Sequence, residues 1–269
     1  NERIWNALQK FCERDPEAFV AYYNNPVLRF ISEAWLGPFF QMTSQVNIIK
    51  PGGQAQLPHR DYHLGFQDDS LVAEFPISSQ MLSQFLTLQG AVAHTDMNTS
   101  AGPTLLLPFS QQYPLGYMAW RDSEFIEYFQ HNAVQLPLKK GDAVFFSPAL
   151  FHAGGNNTES SDRIANLLQV SSAFGKPMES VDRTKMTKLI YPVLLAGKQA
   201  KLLSPEETIS VCASVVDGYS FPTNLDFDSP LAGSTPETVQ ALIERGLNEE
   251  WSASQFCECL DDATKRRLA

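Results

Sequence analysis

A series of short strand-like segments between residues 41 and 172 constrains the fold of this chain more than any other feature. Residues typical of β-strands recur there in short runs, and turn-forming residues separate the runs. The clearest runs cover residues 41–49, 85–93, 104–107, 143–146 and 164–171. We expect at least six strands here, with a helical insertion from about Gln111 to Gln130. Short strands joined by turns favour a sandwich or jelly roll over a βαβ fold.

Helical patterns lie on both sides of the predicted strands. Apolar residues recur at helical spacing over the first forty residues, where Pro16 and Pro26 stand at positions typical of helix starts. Helical patterns return after Lys176. We therefore predict a mainly β fold with flanking helices and a double-stranded β-helix core, that is, a jelly roll or cupin-like core. A single domain over residues 1–269 would comprise a helical N-terminal region of about 1–40, a core of about 41–175 and a helical C-terminal region of about 176–269.

The composition argues against several classes of function. With 20 basic and 30 acidic residues, the formal net charge is -10, which would repel the phosphate backbone of a nucleic acid. No stretch approaches the roughly 18–20 consecutive apolar residues that span a bilayer, and the first residues lack the basic-then-apolar pattern of a secretory signal. We expect a cytoplasmic protein without a nucleic-acid or membrane partner, whose four cysteines are reduced thiols. The oligomeric state stays open.

His59, Asp61 and His152 form the candidate reactive site. His59 and Asp61 follow a Gly-rich turn after the first predicted strand, and residues two apart in an extended segment point to the same side. His152 follows a later strand after a short corner, so three side chains from two strand ends can converge inside a jelly roll. Two imidazoles and one carboxylate are the ligand set of a facial-triad iron site. The same ligand types also bind catalytic zinc.

Arg163 provides a further feature that favours iron over zinc. It lies 11 residues after His152, at the start of the following predicted strand. Its planar guanidinium can hold a dicarboxylate through two parallel hydrogen bonds. The sequence therefore places a candidate dicarboxylate site near the candidate metal ligands.

Several motifs in the core region together carry a family resemblance. They are Gln56 with His59-Arg60-Asp61, Asp96 with Ala101-Gly102-Pro103-Thr104, the Gly141-Asp142 turn, and His152 with Arg163. Over about residues 41–173, the chain resembles the phytanoyl-CoA dioxygenase family of iron(II)- and 2-oxoglutarate-dependent oxygenases. The spacing of Gln56 from His59, and Thr104 after its glycine, also resemble a branch that modifies small natural products in microbes and fungi.

The resemblance implies a metal site and two co-substrates. Iron(II) would be bound by His59, Asp61 and His152, and the co-substrates would be 2-oxoglutarate and dioxygen. Arg163 would pair with the far carboxylate of 2-oxoglutarate. Because related halogenases replace the carboxylate ligand by a small residue, Asp61 favours hydroxylation over halogenation.

Two more residues match family positions that add hydrogen bonds to the co-substrate, namely Gln56 and Thr104. Some relatives carry serine two residues after the second histidine, where it assists the arginine, whereas this chain has Gly154. Arg163 would then need another partner, such as Thr104 or a water molecule.

Three further residues are candidates for substrate contact: His63, Gln67 and Trp120. His63 lies two residues after Asp61 and can face the same pocket, although histidines near a site are often ordinary loop residues. The presence of Gln67 and Trp120 is explained equally well by packing.

We therefore expect an enzyme that converts 2-oxoglutarate to succinate and carbon dioxide while it hydroxylates or desaturates a small organic substrate. One alternative is a non-catalytic cupin-like protein that binds a metal or small molecule, which would not need Arg163. Another is a zinc-dependent hydrolase, which would need a general base beside the metal-bound water. The sequence does not identify the substrate, and the acyl-CoA substrate of the family's namesake is not assumed.

Overall fold

The computed structural model describes residues 1–230 and 235–268. The strands in this part of the chain are β1 Glu2–Ile4, β2 Gln41–Ile49, β3 Thr87–Ala93, β4 Leu105–Leu106, β5 Val134–Gln135, β6 Ala143–Phe146, β7 His152–Ala153 and β8 Arg163–Ser171. The α-helices are α1 Ala7–Arg14, α2 Pro16–Tyr23, α3 Pro26–Leu36, α4 Asp69–Glu74, α5 Ile77–Ser83, α6 Gly116–Ala119, α7 Ser123–Asn132, α8 Arg183–Gln199, α9 Pro205–Val215, α10 Val239–Asn248 and α11 Ala253–Arg267. None of these helices is long and apolar enough to cross a membrane.

The strands form two sheets. The larger has the order β1-β2-β8-β3-β6, and the smaller has the order β5-β4-β7. β3 pairs antiparallel with β8 and β6, so that Gln89 lies opposite Gln169 on one side and Phe146 on the other. In the smaller sheet, β4 pairs antiparallel with β5 and β7, which places Leu106 opposite His152. Two antiparallel sheets whose strand order departs from sequence order are the arrangement expected of a jelly roll.

The prediction of a mainly β fold is not confirmed. Helices hold 43% of the described residues and strands hold 16%, so the fold consists of antiparallel sheets accompanied by a larger amount of helix. Part of the difference is that β4, β5 and β7 have only two residues each. Another part is that α4 and α5 occupy a segment where the sequence pattern did not reveal helices.

The helix starts predicted from proline are confirmed. Pro16 and Pro26 begin α2 and α3, and the preceding Asp15 and Asn25 accept hydrogen bonds from free backbone N–H groups of the first turn. Residues 2–4 differ from the prediction, because they form β1 instead of a helix. Their pairing with β2 is a tertiary interaction, which the local apolar spacing cannot reveal.

The chain divides into two compact units. The first comprises residues 1–7 and 43–179 and contains nearly all of both sheets together with every predicted site residue. The second comprises residues 8–42 and 180–269, where α8 contacts α2, α9, α10 and α11. In the core of this second unit, the buried rings of Tyr191 and Phe256 stack at a centroid distance of 3.9 Å. The single-domain organisation stays a prediction.

Candidate metal centre

Backbone pairing brings the candidate metal ligands together. His59 lies in the loop after β2 and forms an antiparallel bridge with His152 of β7, through backbone hydrogen bonds of 2.9 and 3.0 Å. The backbone N–H of Asp61 donates to the carbonyl of Pro148 at 3.0 Å. These bonds join the loop that carries His59 and Asp61 to β7 and to the segment just before it.

Asp61 lies between the two imidazoles. Its Oδ1 is 3.3 Å from His59 Nε2, and its Oδ2 is 3.2 Å from His152 Nε2. Each ring places Nδ1 at 2.8 Å from the carbonyl two residues earlier, which belongs to Leu57 for His59 and to Leu150 for His152. Because a carbonyl only accepts hydrogen bonds, Nδ1 carries the hydrogen and Nε2 of the neutral ring keeps its lone pair for a metal.

The electrostatics of this cluster favour an ionised carboxylate. Burial opposes ionisation of Asp61, but hydrogen bonds and charge interactions with His152 and His59 hold the pKa of its carboxyl well below the usual range. Burial is the largest influence on the pKa of His59 and lowers it. The hydrogen bond and charge interaction with Asp61, together with the hydrogen bond to the Leu57 carbonyl, outweigh burial and the charge of Arg3, so this pKa is raised. An ionised carboxylate is the form that binds a metal ion.

The donor set fits a divalent transition metal. The three side chains offer ligand atoms within 4.8 Å of one another. Two imidazole nitrogens and one carboxylate suit iron(II), and they leave coordination positions for other ligands. Since zinc accepts the same ligand types, the choice between the metals depends on the surroundings of the cluster.

A cavity of about 360 Å³ adjoins the cluster. The three clustered side chains line it, as do the predicted co-substrate residues Gln56, Thr104 and Arg163. This volume lies at the lower end of the roughly 300–1,000 Å³ range of small-molecule sites. The structure thus brings all six of these predicted residues to one cavity in the first unit.

Arg163, the first residue of β8, is buried in the cavity wall, and no described residue gives it an acidic partner. Its Nη1 donates to the Gly102 carbonyl and its Nη2 donates to Asn47 Oδ1 at 3.2 Å, whereas Nε has no partner in the described chain. Burial lowers the pKa of this guanidinium to about 10, so it stays charged at neutral pH. A buried cation that no carboxylate neutralises is costly, and this arrangement fits an anionic ligand such as a dicarboxylate.

Gln56 and Gly154 hold each other at the cavity wall. The backbone N–H of Gln56 donates to the Gly154 carbonyl, and Gln56 Oε1 accepts from the Gly154 N–H, both at 2.9 Å. A Cβ atom at Gly154 would lie 2.9 Å from Gln56 Oε1. The glycine that stands where some relatives carry serine therefore leaves room for Gln56. Thr104 lines the same cavity and is half-buried.

The three predicted substrate contacts lie outside the cavity lining. His63 places Nδ1 at 3.1 Å from Ser83 Oγ, and the backbone of Gln67 accepts a hydrogen bond from Arg121. Trp120 is nearer to the metal cluster, since its ring meets the His59 ring edge-on at a centroid distance of 6.5 Å. A role for these residues in substrate binding stays a prediction.

The sequence reasoning missed three polar residues at the site. Gln89 of β3 donates to Asp61 Oδ2 at 2.7 Å, Asn47 of β2 accepts from Arg163, and Arg3 of β1 lines the cavity. The sequence signal of Gln89 and Asn47 is a polar residue within a mostly buried strand, whereas Arg3 lies on the exposed strand β1 and carries no such signal. Such a residue must find a polar partner when the strand is buried, but the pattern alone does not say which one.

Arg60 stands between the candidate metal ligands His59 and Asp61 in the sequence and anchors the loop that carries them. Its guanidinium lies 5.0 Å from the ring centroids of both Tyr117 and Phe151, and its Nη2 donates to the carbonyls of Ser110 and Tyr113 at 2.7 and 3.0 Å. Burial lowers its pKa to about 10. Arg60 therefore stays charged at neutral pH and ties the metal-ligand loop to the segment before α6.

Comparisons with solved structures find weakly similar chains. EctD from S. alaskensis with bound Fe is 16% identical over 66% of this chain and 59% of that chain, with a TM-score of 0.49. The non-heme alpha ketoglutarate dependent epimerase SnoN from nogalamycin biosynthesis is 15% identical over 64% of this chain and 62% of that chain, with a TM-score of 0.47. The non-heme monooxygenase ThoJ, in a Ni complex, is 19% identical over 59% of this chain and 55% of that chain, with a TM-score of 0.42. The matched region thus spans less than two thirds of each of these proteins.

Family membership rests on the family model instead. No curated protein matches the chain. The model described as phytanoyl-CoA dioxygenase (PhyH) matches residues 6–165, which is more than half of the chain, and it confirms the predicted resemblance. The chain therefore belongs to the phytanoyl-CoA dioxygenase family.

Proposed function

We propose that this protein is an iron(II)- and 2-oxoglutarate-dependent oxygenase that hydroxylates or desaturates a small organic substrate. The observation that carries the proposal is the combination of two sites on one cavity. One is the cluster of His59, Asp61 and His152. The other is the buried guanidinium of Arg163, which has no acidic partner among the described residues. An enzyme that uses a bound metal together with an anionic co-substrate needs a metal site and an anion site next to each other.

The protein residues would bind and orient the reactants. His59 and His152 would hold iron(II) through Nε2 and Asp61 through its carboxylate, and Arg163 would bind the far carboxylate of 2-oxoglutarate. When bound, iron and 2-oxoglutarate supply the oxidation, in which dioxygen is consumed, succinate and carbon dioxide are released and a C–H bond is oxidised. The backbone hydrogen bonds at each Nδ1 keep the rings in the tautomer that can bind the metal.

Aromatic side chains beside the ligands would limit the access of water. Phe146 meets the His152 ring edge-on at a centroid distance of 4.9 Å, and Trp120 contacts the His59 ring from another element. Excluding water strengthens electrostatic interactions inside the site and suppresses side reactions of the bound reactants. Gln56 and Thr104 would add hydrogen bonds to the co-substrate from the same cavity wall.

Metal binding and co-substrate turnover test the proposal together. Metal-free protein is titrated anaerobically with iron(II), and carbon dioxide release from carboxyl-labelled 2-oxoglutarate is then followed in air with a panel of small organic compounds. We expect iron binding that depends on His152 and label release that depends on iron and Arg163. His152→Ala should lose both, whereas His131→Ala, an exposed histidine on α7, should retain both.

Three results would contradict the proposal. Full iron binding by His152→Ala would remove the proposed ligand set. Tight zinc binding without any 2-oxoglutarate binding or label release would favour a zinc-dependent hydrolase or a non-catalytic metal-binding protein. Binding of 2-oxoglutarate that Arg163→Gln leaves unchanged would place the co-substrate elsewhere.

A further inference from the structure

Arg3 is a charged residue of the cavity to which the proposed function gives no role. The charged residues that line the cavity are Glu2, Arg3, Asp61 and Arg163. Asp61 belongs to the metal cluster and Arg163 to the proposed co-substrate site, while Glu2 lies 3.6 Å from the ammonium of Lys50. Arg3 remains as a cation that faces the cavity without an acidic partner in the described residues.

The surroundings of Arg3 hold its guanidinium in place without neutralising it. Its Nη1 donates to Gln45 Oε1 at 3.0 Å, and Gln45 is fully buried on β2. Its guanidinium carbon also lies 5.1 Å from the ring centroid of Trp5, which is another residue of the cavity wall. A guanidinium carries five N–H donors in a planar fork, so a carboxylate can still be bound in a bidentate manner.

The strand register relates Arg3 to the co-substrate site. Arg3 lies directly opposite Asn47 in the pairing of β1 with β2, and Asn47 accepts a hydrogen bond from Arg163. The order β1-β2-β8-β3 places three strand spacings between Arg3 and Gln89, the partner of Asp61. Three spacings correspond to about 14 Å across the strands, and both residues line the same cavity.

The size and lining of the cavity limit what can bind there. Its volume of about 360 Å³ must accommodate the co-substrate as well as the substrate. Apolar side chains, including Phe66, Phe146 and Leu167, line much of the remaining wall. The space therefore suits a small molecule with an apolar body and an anionic end.

We propose that Arg3 binds a carboxylate of the substrate, so that the substrate is a small organic acid whose apolar body extends toward the metal cluster. This assignment rests on the proposed function, because it reserves Arg163 for 2-oxoglutarate. The carboxylate is bound by the free N–H groups of Arg3, and the Trp5 ring lies beside the bound group. Anchoring one end of a small substrate limits which of its carbons can approach the metal.

Matched acids and amides test this proposal. Protein loaded with zinc(II), as a redox-inactive metal, and with 2-oxoglutarate is titrated with 3-phenylpropanoate and hexanoate and with their primary amides. Saturation-transfer NMR measures each affinity. We expect each acid to bind at least about tenfold more tightly than its amide, because only the acid can pair with the guanidinium. Arg3→Gln should abolish this preference, whereas Arg3→Lys should retain part of it.

Arg14→Gln is the control variant, because it removes the same charge from an exposed residue at the end of α1. It should retain the full preference for acids. Equal binding of acids and amides, no binding of either, or an acid preference that survives Arg3→Gln would each overturn the proposal. A loss of 2-oxoglutarate affinity in Arg3→Gln as large as that in Arg163→Gln would also overturn it, since Arg3 would then serve the co-substrate. Failure of the proposed function is recognised separately, because wild-type protein would then not bind 2-oxoglutarate at all.

Discussion

The side-chain amide of Gln89 donates a 2.7 Å hydrogen bond to Asp61 Oδ2, the carboxylate oxygen that also lies 3.2 Å from His152 Nε2. Gln89 is buried on β3 and is therefore carried by a central strand of the larger sheet. Asp61 lies in a loop, and Gln89 is a hydrogen-bond partner of its carboxylate that comes from the larger sheet. The sheet thus sets the orientation of a carboxylate that the loop supplies.

Replacing Gln89 should weaken metal binding without unfolding the protein. Gln89→Met keeps the approximate volume of the side chain but removes the donor to Asp61. Since the loss of a hydrogen-bond partner of a metal ligand typically costs 10–100-fold in affinity, we expect a loss of roughly that size for iron(II) or cobalt(II). Anaerobic metal titration measures it, and circular dichroism checks that the fold is retained.

Gln169→Met is the matched control for this prediction. Gln169 is also buried, lies directly opposite Gln89 in the sheet and lines the same cavity, but no hydrogen bond joins it to Asp61. Its replacement should change metal affinity by less than about threefold. If both variants lost affinity equally, the effect would come from the polarity of the cavity and not from the bond to Asp61.

Arg60 should contribute to stability because its guanidinium is buried between two rings. Arg60→Met removes the charged donor from the carbonyls of Ser110 and Tyr113, which keep only their backbone hydrogen bonds. It also removes the contacts with Tyr117 and Phe151. We expect the free energy of unfolding to fall by about 2–4 kcal/mol, as measured by urea denaturation of metal-free protein.

Arg121 offers a comparison, since its guanidinium also lies over a ring, at 4.1 Å from the centroid of Trp120, but the residue is exposed. Arg121→Met should cost less than about 1 kcal/mol, because solvent screens the interactions of an exposed charge. An equal loss of stability in both variants would show that burial of Arg60 is not the cause.

The sequence predicted the parts of the fold that depend on local patterns. β2, β3, β6 and β8 lie close to their expected positions, and so do the helices that begin at Pro16 and Pro26. Short elements escaped prediction because two or three residues, as in β1, β5 and β7, carry no periodicity of their own. Their existence depends on partner strands that lie far away in the chain.

In the candidate site, too, the sequence predicted the residues that carry a recognisable chemical pattern and missed those whose role depends on distant strands. His59, Asp61, His152 and Arg163 carry chemistry that is visible as residue type and spacing, and the structure brings them to one cavity. Gln89 and Asn47 are single amides within strands, and their roles depend on the register that sets them beside Asp61 and Arg163. Register is a tertiary property, which one sequence does not reveal.

Gly154→Ser should be tolerated at a small cost. The new Cβ would lie 2.9 Å from Gln56 Oε1, which is the end of a flexible, exposed side chain that can move away. The expected loss is the hydrogen bond from the Gly154 N–H to Gln56, or about 1 kcal/mol in the free energy of unfolding. In a Gln56→Ala background, Gly154→Ser should cost nothing further. An undiminished cost in that background, measured by urea denaturation, would show that the serine clashes with another group.

Asn47 should control the affinity for 2-oxoglutarate through Arg163. Asn47→Asp replaces the amide oxygen that accepts from Arg163 Nη2 with a carboxylate, and so supplies the acidic partner that this buried guanidinium lacks. Because the internal carboxylate competes with the ligand for the same charge, we expect 2-oxoglutarate to bind about 10–100-fold more weakly to the metal-loaded protein. Asn47→Ala removes only one hydrogen bond and should weaken binding less.

Calorimetric titration of the zinc-loaded protein with 2-oxoglutarate measures both effects, and Asn132→Asp is the control. Asn132 is an exposed residue at the end of α7, so the same chemical change adds the same charge outside the cavity. It should leave the affinity unchanged within about twofold, since exposed charges are screened over about 10 Å at ordinary salt. Wild-type affinity in Asn47→Asp would mean that Arg163 does not bind the co-substrate, because an ion pair formed beside it would then have no effect.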